Sequence, residues 1–533
     1  MTATESAAEH PVLIAGQWRP AEATGTFQAV NPRTRQPLAG AYPVSSWSDC
    51  DAALDAAAEA FRVMRQLPVG QIARFLEAYA DRMEARGDEL AEMAHAETAL
   101  PVSPRLKDVE LPRTANQIRQ AAVAARDGSW TLPTIDTQNN IRSCLAPLGP
   151  VCVFGPNNFP FAFGSVSGGD FAAAMAAGNP IIGKANSSHP GTTRIFAEEA
   201  HLAATETDMP AGTVQLIYRL DHADGERLVS DPRVGATGYT GSRAAGLKLK
   251  AAADAAGKPI YLELSSVNPV VILPGALQER LEDIAEEFVS SCLMGTGQFC
   301  TNPGLVVLLK GESADAFVQA VVERFEAAPI GTLLSASVES SLQTGLHTLQ
   351  VAGAKLATGG TPGGGTGCSC HNTLLTVSAS RFLDHPMELQ TEAFGNASLV
   401  VVADDVEQAA AVLAQVEGNL TGCFYSHTQG GDDDAYHQLA PILQQRVGRL
   451  LNDKMPTGVA VSPAMNHGGP YPATGHPHFT AVGIPAALRR FGMLQCFDNV
   501  RPHRLPALLQ NTNPTGRTWR LIDGQWSVDD VKP

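Results

Sequence analysis

The feature that most constrains the fold is a regular alternation of short apolar runs and helical runs between residues 151 and 264. The apolar runs predict buried strands, and the Ala-rich runs between them have the three- and four-residue spacing of helices. The predicted strands cover residues 151–154, 180–184, 213–218, 234–239 and 258–264, and the helices cover 168–178, 192–204 and 246–256. This order predicts a parallel, doubly wound α/β sheet whose ligands bind beyond the carboxyl ends of its strands.

The rest of the chain divides into segments of different pattern. Residues 12–30 predict short strands, and residues 49–126 predict helices that cover a sheet. Residues 130–147 predict a hairpin outside the α/β pattern, a position that favours contacts between subunits. From residue 305 to 446 the alternation returns and predicts a second α/β unit, because 533 residues are too many for one core.

The end of the chain predicts one more hairpin. Residues 521–526 repeat the spacing of residues 13–18, with a glycine turn followed by a tryptophan. We treat this likeness as chance, because an internal repeat would need a longer match. The tail that carries Trp519 and Trp526 is predicted to be a strand that docks on a neighbouring subunit.

Charge and cysteine content narrow the partners and the compartment. The formal net charge of −16 argues against nucleic acid or an anionic membrane, because both need a basic surface. No run approaches the roughly 18 apolar residues of a membrane span, and residues 1–10 lack the parts of a signal peptide. Nine cysteines at irregular spacing are typical of reduced thiols. We expect a cytoplasmic protein that acts on a small molecule.

One cysteine lies in a glycine-rich loop where a nucleophile could be exposed. Residues 278–292 predict an amphipathic helix that places Cys292 on its buried face. Cys300 follows, within residues 295–304, where glycines allow the backbone to approach a ligand closely. Taken alone, Cys300 has an ordinary alternative as a small apolar residue in a turn. A nucleophilic role would require a base and a donor to the oxyanion.

Three polar residues in loops or at strand ends could supply these groups. Glu263 ends one predicted strand, Asn158 follows another, and Glu392 lies in the motif Q-T-E-A-F-G. Each has an ordinary alternative, as a carboxylate facing water, a turn asparagine or a charged loop.

Two further groups of residues were weighed as metal ligands. Cys368 and Cys370 form a C-x-C pair in a Gly-rich loop without a second pair nearby, and we predict an exposed loop there. His467, His476 and His478 lack helical spacing and a neighbouring carboxylate cluster. We therefore predict no metal.

Together, several motifs in one order resemble the aldehyde dehydrogenase superfamily. In chain order they are Asn158, Lys184, T-G-S at 240–242, Glu263, G-Q-F-C at 297–300 and E-A-F-G at 392–395. The similarity covers about residues 13–508, and the ordered set is far more specific than any single motif. Within the superfamily, other motifs are similar to the 2-oxoglutarate semialdehyde (2,5-dioxovalerate) dehydrogenase branch, which itself resembles NADP-dependent fatty aldehyde dehydrogenases. These are G-S-V-S-G-G-D at 164–170, G-Q-F-C-T-N-P-G at 297–304, P-T-G-V at 456–459 and H-G-G-P-Y-P-A-T at 467–474.

The resemblance implies an α/β fold with a Rossmann-type cofactor domain, a second α/β catalytic domain and a β-hairpin oligomerisation arm. We expect the cofactor domain at residues 11–128 and 148–268 and the catalytic domain at 269–489. The arm is expected at 129–147 together with the tail 490–533. The resemblance also implies a homodimer or homotetramer.

It further implies a role for each catalytic residue. Cys300 would attack an aldehyde carbonyl to give a thiohemiacetal and, after hydride transfer, a thioester. The Asn158 amide and the Cys300 N–H would hold the oxyanion. Glu263 would activate the water that hydrolyses the thioester.

The implied cofactor is NADP, with NAD as the alternative, in a site without a G-x-G-x-x-G motif. From the adenosine end to the nicotinamide end, the implied contacts are Lys184, Thr240, Gly241, Ser242 at a helix N-terminus, Glu392 and Phe394. Ser187 stands where the superfamily often has a glutamate, which removes a repulsion against a 2′-phosphate. Arg219 is a candidate partner of that phosphate.

The substrate is less constrained by the sequence. The pocket is predicted to be apolar near Cys300, lined by Phe159, Phe161, Phe163, Phe299 and His467. The first choice is 2-oxoglutarate semialdehyde, although the sequence does not show an arginine for its distal carboxylate, and residues 99–104 diverge from the branch. A medium- or long-chain aliphatic aldehyde is the alternative. Two functions from other classes of protein stay open: a thiol hydrolase that uses Cys300 and His467, and an inactive scaffold. Ser265 and Ser266 replace the usual glycines after Glu263, so slower deacylation is expected.

Overall fold

The computed structural model describes residues 9–68 and 70–532. Residues 1–8, on which the signal-peptide prediction mainly rests, lie outside the described residues. Fifteen α-helices occur in this part of the chain: α1 Trp47–Met64, α2 Gln71–Ala85, α3 Gly87–Thr98, α4 Leu111–Asp127, α5 Gly169–Ala176, α6 Pro190–Glu206, α7 His222–Ser230, α8 Arg243–Ala255, α9 Pro274–Leu293, α10 Glu312–Ala327, α11 Ala336–Val351, α12 Ala379–Asp384, α13 Pro386–Leu389, α14 Val406–Gln415 and α15 Asp433–Gln444.

The strands of the same residues form three larger sheets and two short ribbons. They are β1 Val12–Ile14, β2 Gln17–Arg19, β3 Ala23–Phe27, β4 Val30–Asn31, β5 Gln36–Pro37, β6 Tyr42–Ser45, β7 Thr134–Asp136, β8 Ile141–Pro147, β9 Val151–Phe154, β10 Ile181–Lys184, β11 Val214–Ile217, β12 Ala236–Thr240, β13 Ile260–Glu263, β14 Val270–Ile272, β15 Leu305–Leu309, β16 Lys355–Thr358, β17 Thr373–Ser378, β18 Ala397–Ala403, β19 Asn419–Tyr425, β20 Val447–Asn452, β21 Gly492–Asp498, β22 Arg520–Ile522 and β23 Gln525–Ser527.

The first sheet has the strand order β13-β12-β9-β10-β11-β1-β2 and confirms the predicted doubly wound α/β architecture. The five strands from β13 to β11 in this order are parallel, and β1 pairs with β11 in antiparallel orientation, with β2 beyond it at the edge. The strands are buried apolar runs, which suits a sheet covered by helices on both faces. Because parallel strands end together, Lys184 pairs in register with Phe154, and Thr240 pairs with Glu263. This edge is where the sequence predicts ligand binding.

The second sheet has the order β16-β17-β18-β15-β14-β19-β20 and confirms the second α/β unit. All its neighbouring strands are parallel except the pair β16 and β17. Helix α9 leads from β14 towards the loop of Cys300, and Phe288 and Cys292 lie on its buried face. Burial of a side chain such as Phe288 stabilises the fold by about 2–3 kcal/mol. Cys292 is fully buried, and burial raises the pKa of its thiol to about 12, which confirms that it is packing.

The third sheet has the order β21-β8-β7-β22-β23 and joins the hairpin of residues 134–147 to the C-terminal tail. Strand β22 lies parallel to β7 of the same chain, with Leu521 opposite Thr134, and Asp523 accepts hydrogen bonds from Thr137. The hairpin of the same chain therefore supplies the hydrogen-bonding edge for β22, whereas Trp519 and Trp526 stay exposed. Docking of the tail on a neighbouring subunit stays a prediction. We call this third sheet the arm sheet. Its role in oligomerisation and the three domain boundaries stay predictions.

Two other expectations concern the surface. Among the described helices, none combines the length and the apolar content that crossing a bilayer requires. Residues 361–366 of the Gly-rich loop are mostly exposed, as expected, but Cys368 and Cys370 are buried, so the expectation is wrong for the two cysteines. The physical reason is a cover from elsewhere in the chain, because the Cys368 N–H donates to the Pro32 carbonyl at 2.9 Å and the Cys370 sulfur contacts Gln343 Nε2 at 3.1 Å.

Candidate active site

Cys300 is held in a loop whose backbone only glycine can follow at one point. Gly297 has φ +68°, and a Cβ there would lie 2.0 Å from the carbonyl oxygen of Gly395. This close approach fixes the Cys300 loop against the loop that carries Glu392. On the other side, Asn268 Nδ2 donates to the Cys300 carbonyl at 2.9 Å and to the Asn302 carbonyl at 2.8 Å. The loop is therefore fixed by main-chain contacts while the thiol stays partly exposed.

The Cys300 sulfur contacts the imidazole of His467, which in turn contacts Glu263. The Cys300 Sγ to His467 Nε2 distance is 3.4 Å, and His467 Nε2 lies 3.0 Å from Glu263 Oε1. His467 and Glu263 are each 1% exposed. We call these three residues the catalytic cluster; one donor atom from each lies within 4.8 Å of the other two. The cluster brings together residues that are far apart in the chain.

His467 Nε2 faces two partners, and one nitrogen either donates or accepts at a given moment. With its proton on Nε2, it donates to the Glu263 carboxylate; without it, it accepts from the Cys300 thiol. The backbone that carries the imidazole is fixed, because the His467 N–H donates to Thr480 Oγ1 at 3.0 Å and the His467 carbonyl accepts from Ala481 N–H at 2.8 Å. The sequence prediction placed His467 in the substrate pocket, and the structure places it beside both reactive groups.

Burial and charge keep the thiol protonated at rest. Burial raises the pKa of Cys300 well above its ordinary value, and the nearby Glu263 carboxylate raises it further, against a smaller lowering by Arg113. Burial also raises the pKa of Glu392 to about 7, although the Ser266 N–H, 3.3 Å from Glu392 Oε1, opposes the shift. An aldehyde-binding nucleophile in this site therefore needs a neighbouring proton acceptor.

Asn158 stands where an oxyanion donor would be needed. It is buried, lines the same cavity as Cys300, and donates from Nδ2 to the Gln298 carbonyl at 2.9 Å. An amide nitrogen carries two protons, so a second hydrogen bond remains available.

The loop after Glu263 is fixed by side chains. Ser266 Oγ lies 2.8 Å from Asn268 Oδ1 and 3.0 Å from Asn419 Oδ1, so its single proton is donated to one of them at a time, and it accepts from Leu420 N–H at 3.0 Å. A glycine at this position would make none of these bonds. Ser266 therefore ties the segment after Glu263 to neighbouring loops, and the expected slower deacylation stays a prediction.

Aromatic side chains pack together as a wall beside Cys300 and His467. Phe159 packs edge-to-face against Phe163, with ring centres 5.4 Å apart, and against Phe299 at 5.0 Å. The Phe163 ring centre lies 5.6 Å from that of His467. Phe161 does not belong to this wall: it is fully buried against Phe196, because alternate residues of this segment point to opposite sides.

A cleft with two adjoining cavities extends from Cys300 to the edge of the first sheet. The inner cavity, of about 390 Å³, is lined by Asn158, Glu263, Cys300, Glu392 and Phe394, among others. The outer cavity, of about 590 Å³, is lined by Lys184, Ser187 and Arg219, among others. Thr240, Gly241 and Ser242 line both. The structure thus brings every predicted cofactor residue to one continuous cleft.

The outer cavity carries positive charge and free N–H groups. Ser242 precedes α8 with an extended backbone and makes no side-chain capping bond, so the first turn of α8 leaves donors for an anion. Burial lowers the pKa of Lys184 to about 8, and the charge of Arg219 lowers it further. Asp221 and Glu226 also line this cavity, but both are exposed, and water screens their charge.

Some residues of the site had no motif in the sequence to mark them. Arg105 pairs with the buried Glu110 and donates to the Asn158 carbonyl at 3.2 Å. Asn268 and Asn419 fix the loops of the nucleophile and the base. Arg113 lies over the Phe163 ring, 5.2 Å from its centre. These residues lie outside the motifs quoted above. The one signal in the sequence was the expectation that a distal carboxylate of the substrate needs an arginine.

Cys300, His467 and Glu263 lie at the inner end of a long cleft on a doubly wound sheet, an arrangement that suits a cysteine-dependent dehydrogenase. Residues 18–460 match the model of the aldehyde dehydrogenase family, and the chain belongs to this family, whose members oxidise aldehydes with NAD(P). The expected resemblance is thereby confirmed.

Two curated relatives are similar over nearly the whole chain. Alpha-ketoglutaric semialdehyde dehydrogenase 2 of Azospirillum brasilense is 39% identical over 525 residues, which cover 96% of this chain and 98% of the relative. Alpha-ketoglutaric semialdehyde dehydrogenase of Acinetobacter baylyi is 35% identical, with the same coverage. They support the predicted placement in that branch of the superfamily.

Solved structures confirm the fold. Lactaldehyde dehydrogenase from Escherichia coli superposes with a TM-score of 0.79 at 24% identity, covering 92% of this chain and 98% of that chain. PnpE in complex with nicotinamide adenine dinucleotide superposes with the same TM-score at 22% identity, covering 93% of this chain and 99% of that chain. At these identities the likeness concerns the fold alone.

Proposed function

We propose that the protein oxidises 2-oxoglutarate semialdehyde to 2-oxoglutarate through a cysteine thiohemiacetal and a thioester. The observation that carries the chemistry is the catalytic cluster, in which one imidazole joins the nucleophile to the base. The substrate is the one named in both curated relatives. The roles of the individual residues below are part of the proposal.

The reaction begins with removal of the Cys300 proton. His467 Nε2 accepts it and Glu263 stabilises the resulting imidazolium, since the three groups are in contact. The thiolate adds to the aldehyde carbon, and the oxyanion accepts hydrogen bonds from Asn158 Nδ2 and the Cys300 N–H. Loss of one such donor typically lowers the rate by about 10²–10³-fold.

The cleft fits a dinucleotide, because its outer cavity has cations and free N–H groups and its inner cavity reaches Cys300. Lys184 and Arg219 would hold the adenosine ribose and any 2′-phosphate, and Ser242 would hold the pyrophosphate. Glu392 would hold the nicotinamide ribose, with Phe394 packed beside it. When bound, the nicotinamide accepts the hydride that turns the thiohemiacetal into a thioester.

Glu263 then serves as the general base for the thioester. Its Oε1 is engaged with His467, whereas Oε2 is buried and has no hydrogen-bond partner among the described residues. A water on Oε2 would lose its proton to Glu263 while adding to the thioester carbon. The thiolate leaves and regains its proton from the imidazolium. Glu263 releases to the solvent the proton that it took from water, which restores the cluster.

For the cofactor, we propose that NADP is preferred over NAD. Ser187 puts no negative charge beside Lys184, and Arg219 adds a positive one at the same cavity. The preference is measured as the ratio of kcat/KM for the two cofactors. A strong preference for NAD would contradict it.

The decisive experiment follows reduced cofactor at 340 nm with 2-oxoglutarate semialdehyde and with hexanal, for the wild type and Cys300→Ala. We expect the semialdehyde to be preferred and the variant to be inactive. Preference for hexanal would favour an aliphatic aldehyde dehydrogenase. The contact of Cys300 with His467 also suits a thiol hydrolase, and hydrolysis of a p-nitrophenyl ester without reduced cofactor from any aldehyde would favour that function.

The surroundings of the site complete the proposal. None of the nine cysteines, all of which lie in the described residues, forms a disulfide, which suits a cytoplasmic location. We propose a homodimer or homotetramer assembled through the arm sheet, with domain boundaries as expected from the sequence. Light scattering on a protein shortened to residue 511 measures whether assembly depends on the tail strands.

A further inference from the structure

The cationic side chain of Arg113 packs against the aromatic wall beside Cys300. The guanidinium carbon of Arg113, on α4, is 5.2 Å from the ring centre of Phe163. That ring centre is 5.6 Å from the imidazole of His467, whose Nε2 contacts the Cys300 sulfur. The charge of Arg113 lowers the pKa of Cys300, and the charge of Cys300 raises the pKa of Arg113, because the two groups are close. Arg113 therefore lies close to Cys300, on the side of the site that the aromatic wall forms.

The protein leaves this cation almost without acceptors. Within the described residues, Arg113 makes no ion pair, and its single hydrogen bond runs from Nε to the Val459 carbonyl at the long distance of 3.4 Å. Its Nη1 is buried and has no partner in the same part of the chain. A buried guanidinium nitrogen without an acceptor is costly, and such groups usually have a ligand or an ordered water as partner.

Two other arginines, Arg105 and Arg449, have guanidinium groups that make hydrogen bonds within the protein. Arg105 is paired with Glu110 and also donates to the Asn158 carbonyl. Arg449 donates from Nη2 to the Pro456 carbonyl at 2.9 Å and to the Gly458 carbonyl at 3.2 Å. Both therefore hold loops in place. Arg105 and Arg449 each keep a buried Nε without a partner, but their terminal nitrogens are engaged. Arg113 is the one of the three with no hydrogen bond from its terminal nitrogens among the described residues.

We propose that Arg113 binds the carboxylate at the end of the substrate remote from the aldehyde. This inference rests on the proposed function and extends it, since it makes the pocket a subsite for an ω-oxo carboxylic acid. A planar guanidinium can donate two parallel hydrogen bonds to a carboxylate. The Phe163 face holds the guanidinium by a cation–π contact, and Phe159 and Phe299 pack against the short hydrocarbon chain.

The subsite explains how an apolar wall can accept a dianionic product without repelling it. The aldehyde end meets Cys300, the chain passes the phenyl rings, and the charged end reaches the guanidinium. An aliphatic aldehyde of similar length fills the same wall but leaves Nη1 without an acceptor. The difference between the two substrates therefore isolates the contribution of Arg113.

The test compares Arg113→Met, Arg113→Lys and the matched control Arg119→Met. Arg119 lies on the same helix, but its guanidinium pairs with Asp81 and Glu84 away from the pocket. For 2-oxoglutarate semialdehyde, kcat/KM is expected to fall about 10- to 100-fold in Arg113→Met, as for the loss of a hydrogen bond to a charged group. For hexanal it should change less than about threefold, Arg113→Lys should recover part of the loss, and Arg119→Met should match the wild type.

Binding without turnover separates the anchor from effects on the thiol. Glutarate is used as an unreactive probe, and its inhibition constant should rise in Arg113→Met in proportion to the loss of kcat/KM. Equal losses for both aldehydes, or an unchanged inhibition constant, would overturn the inference even if the wild type prefers the semialdehyde. A wild type that prefers hexanal would instead overturn the proposed substrate. Thermal unfolding of each variant shows whether the fold is kept.

Discussion

Lys184 should make the affinity for NADP depend on pH. Burial, with a smaller effect from Arg219, lowers the pKa of its ammonium group to about 8. Only the charged form attracts a phosphate and offers three donors. Because the folded-state pKa is lowered, the charged form exists below about pH 8 and is lost as the pH rises through that value. A bound anion favours the charged form, so NADP should bind best at neutral pH and progressively worse above pH 8.

The size of the effect follows from the same pKa. With a pKa of about 8, about 90% of Lys184 is charged at pH 7 and about 3% at pH 9.5. If binding requires the charged form, the dissociation constant of NADP rises about 30-fold across this range, equivalent to about 2 kcal/mol. The 2′-phosphate is fully ionised throughout, because its second pKa lies near 6.

Isothermal titration calorimetry at pH 7, 8, 9 and 9.5 measures this dissociation constant directly. The protein carries Cys300→Ser, which removes the titrating thiol without touching the outer cavity. Lys184→Met in the same background is the control: it should bind NADP weakly at every pH, with the dependence on pH removed. A constant affinity between pH 7 and 9.5, or the same slope with Lys184→Met, would refute the role assigned to the lysine.

Three further predictions concern the inner site. Glu263→Gln should keep the amplitude of a first-turnover burst of reduced cofactor while the steady rate falls about 10²–10⁴-fold; loss of the burst would contradict a main role in activating water and make support of the imidazolium the dominant one. Gly297→Ala should lower Tm far more than Gly516→Ala, because both glycines have positive φ but only at Gly297 would the new Cβ meet a backbone oxygen, at 2.0 Å; equal Tm values would contradict the steric explanation. Zn²⁺ should inhibit by binding the donor atoms of the catalytic cluster, since Cys, His and Glu are zinc ligands. A chelator should restore activity. Inhibition without any zinc binding in isothermal titration calorimetry would contradict binding at the cluster.

The two α/β units and the main candidate residues could be predicted because their signals lie within short segments of the sequence. Buried strands and covering helices have their own periodicity, and Cys300, Asn158 and Glu263 lie in short motifs at strand ends or in the loops that follow strands. The rule that ligands bind at the carboxyl edge then brings such residues together without any knowledge of their distances. This is why the cleft residues from Lys184 to Phe394 could be placed in one site.

What the sequence did not supply depends on contacts between distant segments. The position of His467 between Cys300 and Glu263 requires a loop of the second half of the chain to reach the edge of the first sheet. Spacing alone predicts Phe161 in the pocket, because it does not show that this side chain points into the core. The sequence around Cys368 predicts exposure, because nothing local indicates that the Pro32 segment covers it. Arg113 became visible only through its missing acceptors.

The arm sheet has a consequence for the order in which the chain folds. Strand β22, at residues 520–522, pairs with β7, at residues 134–136, so this sheet joins segments separated by most of the chain. Contacts of such long sequence separation form slowly, because closing the intervening loop costs entropy first. During synthesis, β7 and β8 must wait for β21 and β22, which leave the ribosome after both larger sheets are complete. The hairpin therefore spends the longest time as an unpaired edge, and a chaperone that protects newly made chains should bind there first.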